Sequence, residues 1–273
     1  MRGEFLDLSG ARLYYYAAGT RGAGVPVVFI HGFPTSGHLW HDVVPLMPAG
    51  HRLVVLDLLG FGRSDPPLAR RVDARAHANR LTAVFDELRI ERACVVGHGF
   101  GGGVAQAFAI DHPDRASHLC LVDSTAFDHW PAMRRALTRA ALPVMQLMPP
   151  RALLGVLHTD LLRGHGSPDR AGHAIDLYLR PFDCAEGRDA IAAHIKGMSS
   201  PENETLASSL ATIDAPTAVV CGERDRFMPL RLARKLAQAI PNATLDVIPG
   251  ARHFTPTEAP REVADVIRRL LQR

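Results

Sequence analysis

At 273 residues with 47% apolar side chains, the chain can bury one substantial core, and its length fits a catalytic domain carrying an insertion better than two independent domains. The formal net charge of +3 comes almost wholly from arginines interleaved with acids, since only Lys196 and Lys235 are lysines, and this is not the clustered basic face of a nucleic-acid binder. Cys94, Cys120, Cys184 and Cys221 lie far apart, residues 1–10 carry no signal-peptide pattern, and no run of about 18 apolar residues occurs, so a reduced cytoplasmic protein with no membrane partner is expected.

Short β-branched or aromatic runs alternate with longer helical patterns. This predicts an α/β fold with a mostly parallel central sheet flanked by helices. Strands are expected at Arg12–Ala17, Pro26–Ile30, Arg52–Leu58, Ala93–Val96, His118–Val122, Thr217–Val220 and Thr244–Ile248. Helices are expected around Gly37–Leu46, Ala74–Leu88, Phe100–His112 and Leu230–Ala239, with a last helix from about Glu258 to the end. Residues 128–211 break the rhythm with apolar helical patterns divided by Pro149-Pro150, Gly164-His165-Gly166 and Pro201. They read as a helical cap inserted into a core made of residues 1–127 and 212–273.

The chemistry-bearing motifs follow strands. His31-Gly32-Phe33-Pro34 comes directly after Val27-Val28-Phe29-Ile30, where a turn can aim the Phe33 N–H into a cleft as half of an oxyanion hole. Asp57-Leu58-Leu59-Gly60-Phe61-Gly62 is a glycine-bearing turn with no chemistry of its own. Val95-Val96-Gly97-His98-Gly99-Phe100-Gly101 has the frame of a nucleophile elbow, glycine, any residue, nucleophile, any residue, glycine, but with Gly99 at its centre. The Phe100 N–H remains as the second oxyanion donor. Asp225 in one loop and His253 in another complete the order elbow, acid, histidine, the arrangement in which a carboxylate fixes the imidazole tautomer. A rival reading takes Gly97-x-Gly99-x-x-Gly102, with Asp123 some twenty residues on, as a dinucleotide fingerprint of an oxidoreductase. That fingerprint normally opens its domain, whereas several strands precede it here, and it accounts for neither the His31 loop nor the Asp225 and His253 pair.

These ordered motifs resemble the α/β-hydrolase superfamily over nearly the whole chain. His31-Gly32-Phe33-Pro34-Thr35-Ser36, followed by Leu39-Trp40, looks most like the branch of haloalkane dehalogenases and epoxide hydrolases, whose elbow carries an aspartate. The resemblance implies His253 as base, Asp225 as acid, Asp123 as an alternative acid, and Phe33 and Phe100 as oxyanion donors. It also shows departures. Epoxide hydrolases of this branch use two cap tyrosines, and the insertion holds only Tyr178; the dehalogenases bind halide with a tryptophan after the nucleophile and often an asparagine in the first loop, where this chain has Phe100 and Phe33.

Three explanations of Gly99 stand open. The enzyme works without a covalent intermediate, His253 acting as general base in non-covalent hydrolysis or in lyase or cyclase chemistry; or a hydrolase has lost its Asp or Ser nucleophile; or the chain is a ligand-binding pseudoenzyme. The cap residues Leu142, Val144, Met145, Leu147, Met148, Leu153, Leu154, Val156 and Leu157 suit a mid-sized apolar small-molecule substrate such as an epoxide, ester or lactone. His31, His98, Trp40, Asp123, Trp130, Tyr178, Met145 and Met148 are the candidate substrate contacts. No cysteine and histidine spacing points to a metal, no cofactor is implied, and a monomer or homodimer is expected.

Overall fold

The computed structural model describes residues 3–8, 10–20, 22, 24–127, 132–198 and 202–273. Eight strands form one sheet: β1 (Gly3–Asp7), β2 (Arg12–Gly19), β3 (Val27–Ile30), β4 (Arg52–Leu56), β5 (Ala93–His98), β6 (Ala116–Val122), β7 (Thr217–Gly222) and β8 (Ala243–Ile248). Their order is β1-β2-β4-β3-β5-β6-β7-β8, with β1–β2 and β2–β4 antiparallel and every later pair parallel. All residues of β3, β5 and β7 are buried, as parallel strands covered on both faces must be.

Helices α1 (Ala74–Glu87) and α2 (Phe100–Asp111) pack on one another, and α2 lies against β5 and β6. Helix α1 starts where Asp73 accepts the Ala76 N–H. Between β6 and β7, which are neighbours in the sheet, the chain passes through α3 (Ala132–Leu147), α4 (Pro150–Gly164), α5 (Pro168–Leu179), α6 (Ala185–Met198) and α7 (Glu202–Ser209). Helix α8 (Leu230–Ala239) covers β7 and β8; a short α9 (Thr255–Glu258) leads into α10 (Pro260–Leu270), which packs on β6 and β7.

The chain goes from β3 to β4 on one side and returns to place β5 on the other. The strand order therefore reverses between β3 and β5, and a crevice opens beyond their carboxyl ends. The His31 loop and the Gly97–Gly101 turn meet there.

Sequence reading and structure differ at three places. The antiparallel edge strand β1 was not expected. The segment expected to be helical around Gly37–Leu46 forms two short 3-10 turns, Gly37–Trp40 and Val44–Leu46. The C-terminal helix is interrupted at Ala259, whose backbone (φ −139°, ψ 58°) is not helical.

Candidate active site

At the end of β5 the backbone turns sharply through Gly99, at φ 52° and ψ −120°, into α2. The flanking glycines permit the bend: a Cβ on Gly97 would stand 2.3 Å from the Gly101 carbonyl oxygen, and one on Gly101 would stand 2.3 Å from that of His31. Gly99 is different. Its Cβ would meet nothing nearer than the Gly32 Cα and His253 Nε2, both at 3.6 Å, which are ordinary contacts. The left-handed backbone suits glycine, yet space for a side chain directly under the imidazole is retained. The turn is fixed by the Gly99 N–H donating to Val122 O (3.0 Å), and by Gly99 O accepting the N–H groups of Gly102 and Thr125 (both 3.0 Å).

His253 Nδ1 donates to Asp225 Oδ2 at 2.9 Å, both residues being buried. The other Asp225 oxygen accepts the N–H groups of Phe227 (2.7 Å) and Met228 (2.9 Å). Burial alone would raise the Asp225 pKa, but the charge and hydrogen bond of His253, with the two backbone donors, hold it below the usual carboxylate range. Burial alone would lower His253; the Asp225 charge and hydrogen bond outweigh it and hold the imidazole above its ordinary value. Nε2, facing Gly99, makes no hydrogen bond to the described residues.

The His253 backbone is held from two directions. Its carbonyl accepts His98 Nε2–H at 2.9 Å, and its N–H donates to Gly164 O at 3.0 Å in the last turn of α4. Next to it, Arg252 Nη1 donates to His165 O at 2.9 Å, and the His165 and Phe254 rings stack at 4.1 Å. Sequence reasoning took the Gly164-His165-Gly166 run only as a helix break. No sequence signal announces that its carbonyls serve a loop ninety residues away.

Asp123 does not partner His253. Its carboxylate accepts Gly222 N–H (2.9 Å) on one oxygen and Thr255 Oγ1–H (2.6 Å) and N–H (3.3 Å) on the other, tying the ends of β6 and β7 to the histidine loop. Burial and the nearby Asp225 charge hold its pKa well above the usual range. So occupied, and with one oxygen 3.9 Å from His98 Nε2, the Asp123 carboxylate is committed to the strand ends and the histidine loop.

Several other expected contacts are placed elsewhere. His31 accepts the Leu58 N–H at Nε2 (3.0 Å) and donates from Nδ1 to Gly32 O (2.8 Å), leaving no ring nitrogen for a ligand. Trp40 is fully buried against Phe29 in the core. His98 is fully buried beneath the site, and burial pushes its pKa down to about 3. Tyr178 is fully buried beside His38, and its hydroxyl has no hydrogen-bond partner among the described residues. Met145 and Met148 are half-buried, while Val144, Leu147 and Val156 are exposed at 62%, 85% and 59%. Trp130 lies outside the described residues. Phe33 is half-buried, and Phe100 is buried at the first position of α2, where its N–H has no intrahelical acceptor.

Sequence reasoning also missed His77 and His194, which lie parallel with ring centroids 5.6 Å apart beside Phe100. His194 Nε2 donates to Leu59 O at 3.0 Å, tying α6 to the loop after β4. Among the described residues no group of three or more His, Cys, Asp or Glu side chains is arranged to hold a metal, and no helix is long and apolar enough to cross a membrane.

A glycine-framed bend, a histidine over it and an acid behind the histidine, each in a loop at the carboxyl end of a parallel sheet, define the α/β-hydrolase architecture. Residues 25–173 match the alpha/beta hydrolase fold family, and the chain belongs to that enzyme family. It is similar to a 2-hydroxymuconate semialdehyde hydrolase of Pseudomonas sp. (30% identity; 90% of this chain, 86% of the relative). It is also similar to haloalkane dehalogenase 2 of Mycobacterium bovis (29% identity; 97% and 93%). Among solved structures, a thermophilic esterase from Thermogutta terrifontis superposes with a TM-score of 0.84 at 25% identity, over 100% of this chain and 98% of that one.

Proposed function

We propose that this chain is an enzyme that uses His253 as a general base without forming a covalent intermediate. His253 Nε2 takes a proton from a water or a substrate group held over Gly99. Asp225 keeps Nδ1 protonated and stabilises the imidazolium that results. The N–H groups of Phe33 and Phe100 hold the oxygen on which negative charge develops. Residues 128–211 act as the cap, and the substrate is a mid-sized apolar molecule such as an epoxide, ester or lactone, undergoing hydrolysis or a lyase or cyclase step. Similarity to relatives named as hydrolases supports the hydrolytic form.

One observation carries the reading. The raised, buried His253 directs Nε2, which has no hydrogen-bond partner among the described residues, at the point, 3.6 Å away, where a side chain on Gly99 would begin. A base is built there, and the group it would ordinarily activate is missing.

Turnover of a panel of epoxides, esters and lactones tests it. His253→Ala is expected to abolish turnover while the far-ultraviolet spectrum stays that of the wild type; undiminished activity overturns the reading. Gly99→Ser and Gly99→Asp are expected to obstruct the site. A gain of orders of magnitude in hydrolysis would instead identify a lost nucleophile.

A further inference from the structure

We infer that the outward faces of α3 and α4 form a docking surface for an anionic lipid bilayer, on which the protein lies without crossing it. The inference is independent of the chemistry at His253.

The first ground is apolarity where the helices meet solvent. Helix α3 already spends apolar residues inward, where Leu142 and Met145 pack against the core. Its other side should then be polar, yet Ala140, Pro143, Val144 and Leu147 stand exposed at the three- and four-residue spacing of one helix face. Gln146 is the only polar side chain from 140 to 150. Helix α4 repeats the pattern. Leu153, Leu157 and Leu161 are buried, while Ala152, Gly155, Val156 and Thr159 are exposed without a charge among them, and a Cβ on Gly155 would meet nothing within 4 Å. Of the six large apolar side chains exposed among the described residues, Val144, Leu147 and Val156 fall on this pair of helices, whereas Phe5, Leu68 and Val247 lie on other elements. Single exposed apolar residues are ordinary, and a concentration of them marks an interaction surface.

The second ground is charge. Residues 129–159 contain Arg134, Arg135, Arg139 and Arg151 and no Asp or Glu. That is +4 against +3 for the whole chain, so the remaining residues sum to −1 (+3 less +4). Arg151, at the start of α4, has a side chain 89% exposed, with its Nε 3.7 Å from Asp183. A segment both basic and outwardly apolar suits anionic headgroups over acyl chains.

Charge also selects the occupant. A second copy meeting this one about a two-fold axis would set the face against itself and bring two such basic segments together. The three large exposed side chains also supply far less than the ~800 Å² per partner of a stable protein interface. A bilayer asks for less, because it surrounds every side chain that enters it. Among the described residues no helix is long and apolar enough to cross a membrane, so the contact is peripheral. It departs from the expectation of no membrane partner, which rested on the lack of a crossing segment.

The full chain is sedimented with vesicles of phosphatidylcholine alone, or of phosphatidylcholine with about 30% phosphatidylglycerol, at low salt. Association at least tenfold tighter with the anionic vesicles is expected, and it should weaken as sodium chloride is raised to about 0.5 M. Leu147→Asp and Val144→Asp are each expected to weaken it at least tenfold, and Arg151→Gln about fivefold. Leu68→Asp, at a residue 71% exposed elsewhere on the molecule, should bind as the wild type does. All four positions are exposed, so the melting temperatures should stay with that of the wild type.

The inference is overturned if the chain sediments with neither vesicle, if it sediments equally with both, or if Leu68→Asp weakens binding as much as Leu147→Asp does. A dimer that forms without vesicles and is dissociated by Leu147→Asp assigns the face to a second copy, and overturns it too. None of these outcomes touches the proposed role of His253, which turnover decides.

Discussion

Two buried histidines, His31 directly after β3 and His253 in the loop after β8, have surroundings that give them opposite work. His31 has each ring nitrogen on the backbone, one accepting from Leu58 and one donating to Gly32, and burial lowers its pKa. His253 has one nitrogen on a carboxylate and the other open toward Gly99, and its pKa is raised. The pair shows that burial alone does not mark a reactive histidine. What distinguishes His253 is a charged partner on one side and, among the described residues, an uncommitted nitrogen on the other.

The contrast can be broken most sharply at Asp225. Asp225→Asn keeps the shape but lets the amide hold the wrong imidazole tautomer, and a loss of roughly 10²–10⁴-fold in kcat is expected. A loss under tenfold, measured on the substrate that the wild type turns over best, would place His253 on the same footing as His31. Next in size, His31→Ala strands the buried Leu58 N–H and removes a ring packed edge-on against Phe61. Stability should fall by about 2–4 kcal/mol, read from denaturant unfolding. If turnover falls instead while the unfolding midpoint holds, His31 touches the substrate after all.

The smallest effect concerns pH. A base must be uncharged to accept a proton, so the acidic limb of the rate profile should inflect above the ordinary 6.5 of histidine, because Asp225 holds His253 upward. In Asp225→Asn the inflection should move down. The linked stability has a definite sign. A raised histidine stabilises the folded chain fully below 6.5, and that contribution disappears as pH rises through its folded value. The depressed Asp225 contributes above 3.8 and is lost as pH falls through its own folded value. An inflection at or below 6.5 in the wild type would remove the electrostatic distinction between the two histidines.

Much of the frame was legible because it is written locally. Seven strands announce themselves by apolar β-branched or aromatic runs, and the Gly97–Gly101 turn, Asp225 and His253 each lie at or soon after the end of one. The edge strand Gly3–Asp7 escaped because its pattern mixes charge with apolar residues; it is held by pairing with β2, where Tyr15 donates to Glu4 at 2.6 Å and Phe5 meets the Tyr14 ring edge-on. The orientation of His31 and Trp40 was not legible for a related reason. Whether a side chain after β3 faces the crevice or the core depends on the loop after β4, where Leu58 takes up His31 and Asp57 accepts the Gly37 N–H at 2.6 Å. Asp123 looked like a spare acid because its partners, Gly222 and Thr255, are about a hundred residues away or more in the chain.

The bond from the His253 N–H to Gly164 O reaches beyond the site itself. The final carbonyls of α4 have no partners within their own helix, and the histidine loop supplies them through His253 and Arg252. Helix and loop thus complete each other, so the segment between β6 and β7 is no detachable module. A chimera that grafts a foreign segment there must bring a helix end of the same length and direction, or His253 loses one of the anchors that aim it.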